Sequence, residues 1–240
     1  MAGHSKWKNI QHRKNAQDSK RGKIFTKIAI ELTVAARIAG GDPADNPRLR
    51  AALSKAKLAN MPKDNCQRAI KKGTGDAGGD AYAEKTYEGY GPGGAAVLVE
   101  CLTDNINRTV SEVRFIFSRA GGNLGQDGSV AWIFERKGLF IFAKDAVKDY
   151  DSFFELALEN GALNVDEEEE YYEVTCEPDT FPSLKEAFDD ARLTAEVVEI
   201  SQIPKNETEM DPEKFDSLEK MIAALEDNDD VQNVYHNGTV

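Results

Sequence analysis

A chain of 240 residues with 40% hydrophobic and 30% charged side chains can bury a core and can divide into one to three domains. No apolar run approaches the roughly 18 residues a membrane helix needs, and the opening MAGHSKWKNI lacks the apolar stretch of a secretory signal, so no membrane partner is expected. Three scattered cysteines, Cys66, Cys101 and Cys176, form no CxxC pair, which reads as reduced thiols in a cytoplasmic protein and not as a disulfide frame or zinc site.

The net charge of −12 argues at first against a polyanionic ligand. Its distribution reverses that argument. Through Lys72 there are 17 Lys and Arg against five Asp and Glu, a charge of +12, which leaves −24 on the remainder. Such segregation fits a polyanion-binding module joined to an acidic body.

Residues 1–23 carry Lys6, Lys8, Arg13, Lys14, Lys20, Arg21 and Lys23 with few apolar side chains, so this arm is expected to be mobile until bound. From Lys23, Ile24, Phe25, Ile28, Leu32, Ala35, Ile38 and Ala39 recur at helical spacing until Gly40-Gly41. Asn46-Pro47 opens a second helix with the stripe Leu49, Ala52, Leu53, Ala56. A third starts at Pro62 and ends at Lys71-Lys72, with Gly73 just beyond. The glycine-rich stretch 73–81 marks a boundary.

Strands are expected over 82–90 and 95–103, a helix over 109–120 and a strand over 129–134. Strand 138–143, helix 151–160, strands 162–167 and 171–176, helix 182–192 and strand 195–201 then give the βαββαβ order of a ferredoxin-like unit. A strand near 206–210, a helix over 212–226 and a strand over 230–236 close the chain. The fold class is therefore α+β: an N-terminal helical bundle plus two α/β domains, one a ferredoxin-like βαββαβ insertion. The division reads as 1–78 for the basic arm and bundle, 79–136 with 205–240 for a discontinuous middle domain, and 137–204 for the acidic insertion.

Catalytic chemistry finds no support. The histidines His4, His12 and His236 have no metal-ligand spacing. No GxSxG elbow is present. Neither GYGPGG (89–94) nor AGGNLGQDGS (120–129) leads into GK[ST], so both read as turns and not as phosphate loops. The carboxylates 166–170 read as a solvated turn between strands. No enzyme activity, cofactor, metal or small-molecule substrate is expected.

The basic module supplies the positive signal, because Lys and Arg on phosphates release condensed counterions. The candidate nucleic-acid contacts in the arm are His4, Ser5, Lys6, Trp7, Lys8, His12, Arg13, Lys14, Lys20, Arg21, Lys23 and Lys27. Trp7 can stack on a base or anchor the arm to the bundle. On the second helix Arg48 pairs in spacing with Lys55, and Arg50 with Lys57, seven residues apart and so on shared faces; Arg68, Lys71 and Lys72 share one end of the third. The acidic body is expected to face away from phosphate or to meet a basic protein.

Several long words carry a resemblance: MAGHSKWKNIQHRKNAQDSKRGKIFTKI (1–28), NPRLRAALSKAKLANMPKDN (46–65), RAIKKG (68–73), YEGYGPGG (87–94), TDNINRTVSEVRFIFSRAGGNLG (103–125), GSVAWIF (128–134) and DVQNVYHN (230–237). Together the chain resembles the YebC/PmpR family over essentially its whole length. Cys66 stands where an aliphatic residue would be expected, which concerns packing. The resemblance implies three domains, cytoplasmic location and no catalytic activity or cofactor. It also implies one of two roles: DNA-binding transcriptional regulation, or a translation factor that contacts rRNA on the large ribosomal subunit and relieves stalling at proline runs.

Overall fold

The structure, a computed structural model, describes residues 21–75 and 82–240. It is an α+β chain whose contacts divide it into two compact units. One takes in residues 132–207; the other takes in the described residues up to 131 together with 208–240.

The larger unit begins with three helices: α1 (Arg21–Ala39), α2 (Pro47–Leu58) and α3 (Lys63–Thr74). Both α2 and α3 pack on α1. Ile28, Leu32 and Ala35 of α1 meet Leu49, Ala52 and Ala56 of α2 and Cys66 and Ala69 of α3 in one core. Asn46 fastens two of these helices. Its Oδ1 accepts the Leu49 N–H at 3.0 Å as the N-cap of α2, while its Nδ2 donates to the carbonyls of Ala35 and Gly40. Gly40, with φ of +86°, ends α1 as the sequence indicates.

Gly73 departs from expectation, lying inside α3 and not just past its end. The cause is the approach of α1: a Cβ there would sit 2.3 Å from the Thr33 carbonyl oxygen and 2.8 Å from the Ala36 Cβ. Alanine in a helix interior gains up to ~1 kcal/mol over glycine, but here the obstacle is backbone and cannot swing aside. Gly73→Ala should therefore lose about 1–3 kcal/mol, the usual cost of overpacking. A urea melt checks the sign, since gain would mean that α1 and α3 do not approach this closely.

The same unit continues with β1 (Ala83–Tyr90), β2 (Ala96–Thr103), α4 (Ile106–Arg119) and β3 (Asn123–Leu124). In the sheet order β3-β1-β2-β9 the outer strand β9 (Val231–His236) comes from the end of the chain. Helix α7 (Pro212–Glu226) packs with α4 over one face of this sheet. Val97, Val99 and Cys101 meet Val113, Phe117, Leu218, Met221 and Leu225 there. Helix α4 starts earlier than its apolar pattern suggests because Asn105 caps it, accepting the Arg108 N–H at 3.0 Å. A short parallel pair, β8 (Thr208–Glu209) with β10 (Gly238–Thr239), ties off the chain end.

The strand expected over 129–134 is replaced by a 3-10 turn over Ala131–Ile133. The reason is Glu88, buried on β1. Its carboxylate accepts the N–H groups of Gly128, Val130 and Ala131, each at 2.7 Å, and so takes the donors that a strand would have given to a ladder. Burial opposes the charge, but the three donors outweigh it and hold the Glu88 carboxyl below its ordinary value. A depressed carboxylate stabilises the fold above the unfolded value of about 4.3 and loses that contribution as pH falls through its folded value. Glu88→Gln should cost about 1–3 kcal/mol at neutral pH, for the loss of a charged acceptor of buried donors. The gap from wild type should narrow below about pH 4 as the wild-type carboxyl protonates. Thermal melts across pH measure both; a pH-independent gap would show that Glu88 acts by packing alone.

The smaller unit runs β4 (Phe134–Ala143), α5 (Tyr150–Glu159), β5 (Ala162–Glu167), β6 (Tyr171–Cys176), α6 (Phe181–Asp190) and β7 (Val197–Pro204). Its antiparallel order β5-β6-β4-β7 is that of a ferredoxin-like βαββαβ unit. Phe140 and Phe142 of β4 stack edge-on against Phe188 of α6, with centroids 5.2 and 4.9 Å apart.

Candidate nucleic-acid interface

The expected contacts His4, Ser5, Lys6, Trp7, Lys8, His12, Arg13, Lys14 and Lys20 lie outside the described residues, as does the side chain of Arg21. The remaining expected cations fall into two groups with different surroundings.

The first group is engaged within the unit. Lys23 Nζ donates to the Asp227 carbonyl at 2.7 Å and pairs with the Asp227 carboxylate at 2.6 Å. Lys27 Nζ donates to the Glu226 carbonyl at 2.6 Å. Both ammonium groups therefore sit at the C-terminal end of α7, where unpaired carbonyls and the helix dipole favour positive charge. Arg48 binds Glu31 on α1 at 2.8 Å and Glu84 on β1, and these carboxylates hold its guanidinium charged against the opposing effect of burial.

The second group points outward. Helix α2 buries Leu49, Ala52 and Ala56, which leaves Arg50 and Lys57 on one flank and Lys55 on the other, at 100° per residue. Arg50 reaches back to the carbonyls of Pro43 and Ala44, which accept its N–H groups without cancelling its charge. Helix α3 buries Cys66, Ala69 and Gly73, so Arg68, Lys71 and Lys72 all project from its opposite face. Arg68 donates to the Asn65 side chain, and Lys72 lies 5.9 Å from the Tyr82 ring centroid. Lys63, at the first turn of α3, is exposed as well. With Asp64 next to it and no cation seven residues away, its local sequence does not single it out. Among the described residues none of these outward cations has a carboxylate partner. The bundle thus separates cations that dock it from cations that it offers to solvent.

Reactive chemistry is not assembled alongside them. Among the described residues no cluster of three or more His, Cys, Asp or Glu could hold a metal ion, and no helix is long and apolar enough to cross a membrane. All three cysteines are buried, and burial pushes the Cys101 thiol up to about 12, where it is inert. The buried Asp230 accepts from the Arg108 guanidinium and the Thr109 hydroxyl, each at 2.7 Å, and from Thr103 at 3.2 Å. That network joins β2, α4 and the start of β9.

Docking and display differ in their cost to stability. Lys27→Met should lower stability by about 1 kcal/mol, since it removes a partly buried cation from a helix end. Lys57→Met should stay within about 0.5 kcal/mol, as exposed unpaired positions usually do. Equal losses in chemical denaturation would erase the distinction.

Comparison with known proteins gives the same architecture a family. Residues 5–76 match the model described as the TACO1/YebC protein N-terminal domain, and residues 82–238 match the TACO1/YebC second and third domain. A probable transcriptional regulatory protein of Geobacter sulfurreducens is 55% identical over 99% of this chain and 95% of its own length. One of Syntrophotalea carbinolica is 56% identical with the same coverage. The crystal structure of a conserved hypothetical protein from Aquifex aeolicus superposes with a TM-score of 0.82 at 42% identity, covering 92% of this chain and 91% of that one. The chain belongs to the TACO1/YebC family.

Proposed function

We propose that the protein is a non-enzymatic regulator of gene expression that holds a nucleic acid by its phosphate backbone. One observation carries this reading: Lys55, Lys57, Lys63, Arg68, Lys71 and Lys72 stand exposed and, among the described residues, without carboxylate partners, on a chain whose remainder is strongly acidic. The basic arm adds further charge of the same sign to the sequence.

The relatives' name, probable transcriptional regulatory protein, favours DNA as the polymer. A second reading, rRNA on the large ribosomal subunit, is favoured by the kind of side chain displayed. The outward faces of α2 and α3 carry mainly lysines, point charges suited to phosphates, where a base-reading helix would aim Arg, Asn or Gln at base edges. An acidic body also suits basic ribosomal proteins.

Contact with about six phosphates of a duplex gives a slope of log affinity against log salt near −5. Reversing Lys55, Lys57, Lys71 and Lys72 to Glu should flatten it by about 3 to 4, at ~0.9 for each contact. An unchanged slope would remove these helices from the interface. Sucrose-gradient sedimentation of tagged protein from DNase-treated lysate separates the two settings. Travel with the large subunit, lost in the reversal variant, supports translation; free protein that binds duplex DNA sequence-selectively at physiological salt supports transcription.

A further inference from the structure

Outside the basic bundle the described α-helices are acidic, with one exception. Helices α5, α6 and α7 carry net charges of −3, −2 and −2, whereas α4 carries Arg108, Arg114 and Arg119 against Glu112, a net +2. Arg108 is committed to Asp104 and Asp230. Arg114 and Arg119 are exposed and have no ion-pair or hydrogen-bond partner among the described residues.

Between them stands Phe115, with 63% of its surface exposed. Helix α4 turns Thr109, Val113 and Phe117 into the core, which sends Phe115 outward with Arg108, Ser111, Glu112, Ser118 and Arg119 within about 60° of it around the axis. A phenyl group left in water forgoes the stabilisation that burial would provide. Two unpaired guanidinium groups on the same helix make the position unlike a stray surface hydrophobe.

The location supplies the link to the basic arm. Glu112, the one carboxylate on α4, accepts from the Asn228 side chain. Asn228 follows directly on Asp227, whose carbonyl receives Lys23 two residues into α1. The start of α1 and the middle of α4 therefore meet the same turn, at Asp227 and Asn228.

We infer that α4 carries a second nucleic-acid contact, in which Phe115 stacks on an unpaired base while Arg114 and Arg119 hold the adjacent phosphates. This rests on the reading of the protein as a nucleic-acid binder and adds to it a requirement for a single-stranded or looped segment. Aromatic stacking needs an accessible base face, which a duplex interior withholds, and guanidinium groups pair well with phosphate.

The test uses the full chain and a fluorescein-labelled, unstructured RNA of about 20 nucleotides, with inorganic polyphosphate as a polyanion that has no bases. Phe115→Ala should bind the RNA about tenfold more weakly, with its salt slope and its polyphosphate affinity unchanged, and Phe115→Trp should retain wild-type affinity. Arg114→Ala with Arg119→Ala should reduce the salt slope by about 1.4, at ~0.7 for each phosphate of a single strand. Thermal melts confirm that the variants fold, as expected at exposed positions. RNA affinity unchanged by Phe115→Ala overturns the contact and leaves a protein partner as the occupant of this face. Equal weakening on RNA and polyphosphate overturns stacking. If reversal of Lys6, Lys8, Arg13 and Lys14 abolishes RNA binding while the α4 variants do nothing, only the α4 contact fails. If the wild type binds neither RNA nor duplex DNA, the functional reading itself fails.

Discussion

The ammonium groups of Lys23 and Lys27 on the last carbonyls of α7 fasten a helical module to the sheet it accompanies. A module of charge +12 and a remainder of −24 attract one another in any arrangement, but attraction alone fixes no geometry. Geometry comes from directed donors. Two lysines meet a helix C-terminus, and Arg48 bridges Glu31 of its own bundle and Glu84 of β1. Once these cations are engaged inward, the remaining ones on α2 and α3 project to solvent, and among the described residues even the nearby Asp45 and Asp64 form no ion pair with them.

Much of the fold was legible because local chemistry and packing agree. Asn46-Pro47 reads as a helix start, and the structure uses Asn46 as the cap and Pro47 at the first turn. The βαββαβ order of residues 134–204 follows from the alternation of apolar strands and amphipathic helices, and the sheet order is that of the ferredoxin-like unit. The misreadings arise where a distant group overrides local preference. Gly73 reads as a helix terminator, yet it lies within α3 because α1 passes 2.3 Å from where its Cβ would be. Residues 129–134 read as a strand, yet Glu88, some 40 positions earlier, captures their N–H groups.

The candidate interface was legible in its composition and much less so in its details. A count of charges marks the first 72 residues as basic, but it weighs Lys27 and Lys57 alike. Only their long-range partners distinguish them, one facing the Glu226 carbonyl 199 residues away and the other facing solvent. Averaging also concealed α4, whose net +2 is lost within the −24 of the remainder. The helix is found by reading charge element by element, once the burial of Thr109, Val113 and Phe117 fixes which side faces out.

Two of the sequence words that carry the resemblance perform structural tasks. In TDNINRT, Asn105 caps α4, while Thr103, Arg108 and Thr109 surround Asp230. In YEGYGPGG, Glu88 clamps the 128–131 turn. Gly89 lets β3 and Phe117 approach so closely that a Cβ would lie 2.5 Å from the Asn123 carbonyl oxygen. A buried network of this kind tolerates few substitutions, because removing one partner strands the others without water. Exposed lysines obey a looser rule: a phosphate backbone asks for positive potential over an area, and a cation can shift by a turn and still supply it. A motif match therefore identifies the scaffold with great specificity and leaves the polymer undetermined. On the proposed reading that choice falls to the less constrained surface of α2, α3 and α4, where lysine or arginine, and one exposed phenyl ring, would decide what can be held.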